Sequence, residues 1–200
     1  GTEAKLNVIT FYYKEKEVAI NYVAVGPNNV PLTESELTTI GSVAPTSENV
    51  KLITGTAQGS TATLKGGPTY RFVGWYSDAD CTELVSSNAR FVPTQPSHDD
   101  NGEEVKDLWV TATYYAKFEY NLTTLTITKS GAAVNADGTG LDAGQSFLFK
   151  VTGEGLPDGG LLIAINGNGS ETISGLTVGK TYTVTEVESW SWRYTATAQK

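Results

Sequence analysis

Leu125-Thr-Ile-Thr-Lys129 and Tyr182-Thr-Val-Thr-Glu186 decide the reading of this 200-residue chain. Both segments alternate strictly with threonine, the pattern of a β-strand whose successive side chains point to opposite faces. Lys129 therefore shares a face with Leu125 and Ile127, and Glu186 shares one with Tyr182 and Val184. An ammonium and a carboxylate are thus aimed into an apolar core, where a solitary charge is costly enough to neutralise by shifting its pKa. A lysine and a glutamate placed this way either pair with each other or do chemistry. The chemistry open to a neutral amine beside a protonated carboxyl is attack on a nearby carboxamide. The plain alternatives are an ion pair with no bond, or an outward-facing pair if the strand register is off by one.

Outward from these two segments, strand signals dominate. Residues 8–13, 18–25, 50–53, 70–76, 108–120, 122–129, 147–151, 161–165, 181–187 and 190–198 are rich in β-branched and aromatic side chains, and Gly, Pro, Asn and Asp punctuate the gaps. One helix is expected, at most two turns long: Thr33-Glu-Ser-Glu36 is a capping box whose Thr hydroxyl and Glu carboxylate satisfy the first amides, followed by Leu37, Ile40 and a stopping Gly41. The acidic stretch from Pro93 to Asp107 reads as a solvated insertion between strands. No Pro- or Ser-rich linker divides the chain, so the boundary is placed at residues 119–123, where one strand pattern runs into the next and implies a stiff junction. The expected domains are residues 1–120 and 121–200.

Composition narrows the function. A net charge of −8 with scattered Lys and Arg offers no basic stripe for phosphates, which argues against a nucleic-acid partner. The apolar stretches are too short to span a bilayer, so no membrane insertion is expected in this segment. The single cysteine, Cys81, makes no intramolecular disulfide and reads as an inert, half-buried thiol. One histidine without a nucleophile pattern, and no Gly-rich phosphate loop before a helix, argue against an enzyme and against a nucleotide cofactor. Residues 98–104 and 135–142 carry oxygen ligands but neither has a full calcium-loop spacing, so no metal is expected. The start at Gly1-Thr2, without Met or an apolar leader, is expected of a segment excised from a longer protein.

The first half, over roughly residues 17–120, resembles the Listeria-Bacteroides repeat, the internalin B-type repeat of bacterial surface proteins, at Tyr70-Arg-Phe-Val-Gly-Trp-Tyr-Ser-Asp78 and Thr113-Tyr-Tyr-Ala-Lys-Phe118. Gly74 is read as making room for Trp75, and Asp78 as capping the following turn. The second half resembles the collagen-adhesin B-type (Cna-B-like) domains of Gram-positive stalks and pili, at Leu125–Lys129, at Gln145-Ser-Phe-Leu-Phe149 and along residues 173–186. The resemblance implies an all-β chain: a β-grasp-like repeat domain, then an Ig-like β-sandwich lacking its last strand. It also implies that Lys129 is the nucleophile of an autocatalytic isopeptide bond and Glu186 its catalyst. The acceptor asparagine is expected beyond Lys200, because Asn135, Asn166 and Asn168 sit in Gly-rich turns. The function implied is a stalk or spacer in an extracellular, cell-wall-attached adhesin or pilus-like protein, whose partners are neighbouring domains of the same protein. The alternative is an adhesin module contacting host glycan or protein, with Trp190, Trp192 and Tyr194 alternating on one face; such a strand is more often sandwich core.

Overall fold

The computed structural model describes residues 9–95, 108–131 and 144–189, and the chain divides into two compact units, Gly1–Lys65 with Phe72–Glu119, and Gly66–Arg71 with Tyr120–Lys200. The architecture is all-β.

In the first unit, β1 (Glu17–Val25) and β8 (Ala112–Tyr120) lie side by side in parallel at the centre of a five-stranded sheet. Its order is β3 (Ser47–Lys51), β1, β8, β5 (Tyr70–Tyr76), β6 (Leu84–Ser86). The first and last described strands of the unit thus form its central pair. Period-two alternation turns Ile20, Tyr22 and Ala24 of β1 and Tyr114, Ala116 and Phe118 of β8 inward, where all six are buried. Trp75 joins them with no exposure, edge-on to Tyr22 at 5.7 Å, and its indole N–H donates to Ala89 O at 3.1 Å. A second sheet, β2 (Gly41–Ala44), β4 (Ser60–Leu64) and β7 (Arg90–Phe91), completes the unit.

Four local expectations change here. The helix α1 spans only Glu36–Thr39; Glu36 does reach back to the Thr33 N–H at 2.8 Å, but the Thr33 hydroxyl donates to that same carboxylate at 2.7 Å instead of capping an amide. Residues 9–13 form no strand, and Ile9, Phe11, Tyr12 and Tyr13 are exposed, because no sheet edge among the described residues takes them. At Gly74 a Cβ would stand 2.5 Å from Leu84 Cδ1 and 2.8 Å from Ser86 O, so the glycine admits the close approach of β6. Cys81 is buried, packed with Val25 and Tyr76, and burial pushes its thiol pKa up. Asp78 does cap its turn, accepting from the Glu83 N–H at 2.7 Å and the Thr82 N–H at 3.0 Å.

The second unit has β9 (Leu122–Lys129) paired antiparallel with β12 (Gly169–Thr177), and a three-stranded sheet in the order β11 (Leu161–Asn166), β10 (Ser146–Gly153), β13 (Tyr182–Glu186). Ile127, Ile173 and Leu176 from the pair and Val151 and Ile165 from the triple form one buried cluster, so the two sheets share a core in a sandwich-like arrangement. On the outer face the threonines pair across strands, Thr126 with Thr172 at 2.9 Å and Thr128 with Ser170 at 2.8 Å. Strand parity is therefore the one expected, since Leu125, Ile127 and Lys129 point inward while Thr126 and Thr128 are exposed. Residues 190–198, with Trp190, Trp192 and Tyr194, lie outside the described residues, as do residues 98–104 and Asn135.

Candidate functional site

Lys129 is the last residue of β9 and Glu186 the last of β13. Ending their strands, they stand at the rim of the apolar cluster: Leu125 and Ile127 of β9, and Tyr182 and Val184 of β13, belong to it or pack against it, and the two charged residues come next in line. Both are half-buried, not sunk in the core as alternation alone implies, because the strands end where the cluster does.

The structure carries Lys129 across the sandwich. Its Nζ lies over the ring of Phe147 on β10, 3.9 Å from the centroid, within cation–π range. Glu186 sits opposite Phe149 in the β10–β13 ladder, and Phe149 is two residues, about 7 Å, along the same strand face from Phe147. Lys129 and Glu186 thus stand against two residues of a single strand, β10: Phe147 and Phe149. The Val187 N–H continues the ladder by donating to Leu148 O at 2.8 Å, which fixes Glu186 from its C-terminal side.

One participant was not foreseen. Asn168 Oδ1 accepts a hydrogen bond from Lys129 Nζ at 3.4 Å. Asn168 occupies the two-residue connection, Gly167-Asn168, through which the chain leaves β11 in one sheet and enters β12 in the other. Gly167 takes a φ of +62°, and its N–H donates to Gln145 O at 2.7 Å. The next residue, Gly169, pairs with Lys129, so the crossing loop passes over the end of β9. The signal in the sequence was only a Gly-Asn-Gly turn, and turn chemistry does not say which strand end a turn will cover. Asn166 is engaged differently, accepting from the Ser146 hydroxyl at 2.6 Å.

A second polar cluster lies in the first unit. Glu48 accepts from the Tyr22 hydroxyl at 2.5 Å and from the N–H groups of Gln58 at 2.7 Å and Gly59 at 2.8 Å, while Arg90 donates to Gln58 O. Burial by itself raises the Glu48 pKa, but these hydrogen bonds outweigh it and hold the carboxyl below its usual range; burial pushes the Tyr22 phenol well up. Its role is to tie β3, β1 and the 57–59 loop together. Nearby, a surface groove of about 580 Å³ runs past Ser86, Asn88 and Arg90, floored by the buried rings of Phe91 and Tyr114.

Among the described residues no cluster of His, Cys, Asp and Glu is arranged to hold a metal ion, and no helix is long and apolar enough to cross a membrane. No protein-family model, no curated protein and no solved structure matches the chain.

Proposed function

We propose that this chain is a stalk or spacer segment of an adhesin or pilus-like protein displayed on the wall of a Gram-positive bacterium. Its second unit is then of the type closed by an autocatalytic Lys–Asn isopeptide bond, with Lys129 as nucleophile, Glu186 as proton relay and the acceptor asparagine after Lys200. The observation that supports this reading best is the placement of Lys129 Nζ over Phe147, at the sandwich end where Glu186 faces Phe149.

In this reading the Lys129 amine attacks the acceptor carboxamide carbon. The new C–N bond forms, the bond to the carboxamide nitrogen breaks, and a proton passes from Nζ through the Glu186 carboxyl to the leaving ammonia. Nothing is oxidised or reduced. Holding amine and carbonyl together supplies the effective molarity that one slow, self-directed turnover requires. The chain is otherwise non-enzymatic.

For the ligand-binding alternative, two of the four tryptophans, Trp75 and Trp109, are buried, with Trp109 donating to Gly55 O at 3.0 Å, while Trp190 and Trp192 lie outside the described residues. The test is single-molecule pulling on the chain extended past Lys200. The expected trace shows the first unit unfolding and no extension from the second, whose first and last strands are joined. Unfolding of both units removes the crosslinked-stalk reading.

A further inference from the structure

The geometry points to Asn168 as the positioning residue for Lys129: its carboxamide oxygen and the face of Phe147 form a two-sided cradle that holds Nζ in place. This rests on the reading of Lys129 as a nucleophile. Nζ is 3.4 Å from Asn168 Oδ1 and 3.9 Å from the Phe147 centroid. A neutral primary amine has two N–H groups and one lone pair. A carbonyl oxygen is an acceptor and an aromatic face is the negative side of the ring quadrupole, so both attract an N–H. The same two groups accept from the ammonium, so Nζ keeps its place when it is protonated.

The cradle is rigid on both sides. Phe147 is 1% exposed in the core. Asn168 is held by Gly167, bonded to Gln145, and by Gly169, in register with Lys129, with Ser170 bonded to Thr128 one step further on. A free lysine side chain samples many rotamers, and this one is restricted before any acceptor arrives.

The experiment has two readouts. On residues 1–200, NMR follows the ε-methylene protons of Lys129 and their titration; on the chain extended past Lys200, intact mass follows the rate of ammonia loss. Ring current from Phe147 should shift the ε-methylene protons upfield in the unaltered chain. Asn168→Ala should return them toward unstructured values and slow ammonia loss at least tenfold. Asn168→Asp keeps an acceptor oxygen, so it should retain the upfield shift while its charge favours the ammonium and moves both the Lys129 titration and the pH midpoint of the reaction upward. A merely structural turn would leave that midpoint in place. Retention of the upfield shift in Asn168→Ala overturns the proposal, as does a lost shift with an unchanged rate. If the unaltered extended chain loses no ammonia, the isopeptide reading fails by itself, and the shift in Asn168→Ala still decides the cradle: loss supports it, retention overturns it.

Discussion

Lys129 Nζ stands 3.9 Å from the centroid of the Phe147 ring, reaching from β9 in one sheet to β10 in the other. The contact anchors a cation to the rim of the core without sinking it, and the long alkyl stem covers apolar surface on the way. Its worth follows from its half-buried position. Replacing Phe147 by Leu should cost about 1–2 kcal/mol, from imperfect repacking and loss of the ring face. A double-mutant cycle with Lys129→Met should return a coupling of about 0.5–1 kcal/mol in urea unfolding. Zero coupling would mean the ring merely underlies the side chain.

Acid should weaken the first unit through Glu48. Its folded pKa is depressed, so the stabilisation is present above the unfolded value near 4.5 and is lost as pH falls from there through the folded pKa. Glu48→Gln should flatten this part of the stability curve, and Glu48→Ala should cost about 2–3 kcal/mol at neutral pH by stranding the Gln58 and Gly59 amides and the Tyr22 hydroxyl. Denaturant unfolding between pH 3 and pH 7 measures both, and a Glu48→Gln curve as steep as the unaltered one would refute the assignment.

Gly41 should not tolerate even a methyl group. A Cβ there would lie 2.3 Å from the ring of Phe118, which is completely buried and has nowhere to go. Gly41→Ala should therefore cost about 2 kcal/mol by overpacking, seen as a lowered melting temperature, whereas Gly155→Ala, with open space around it, should suffer only from its φ of +80°. Equal losses at the two positions would count against the close-approach explanation.

The sequence made the strands with dense apolar alternation legible: β5 and β9 match the expected ranges, and β1, β10, β11 and β13 differ by a residue or two at their ends. β12 was missed because only Ile173 and Leu176 are buried along it, and the register shift between them, with Gly175 at a φ of +78°, breaks the period of two. β2, β4, β6 and β7 are short and carry few apolar side chains, so their pairing is decided by distant neighbours. For the candidate site, alternation alone gave the inward faces of Lys129 and Glu186. It did not give their half-burial, which depends on where the strands end, or the role of Asn168, which depends on a crossing between sheets that no local pattern encodes.

The central claim, that Lys129 and Glu186 are a reactive pair, is tested most directly by intact-mass spectrometry of the chain extended past Lys200. The account predicts a mass lower than the sequence mass by one ammonia, and the full unmodified mass in both Lys129→Ala and Glu186→Ala. An extended chain at its full mass would contradict it, leaving Lys129 and Glu186 as two ordinary half-buried charges at the end of a β-sandwich.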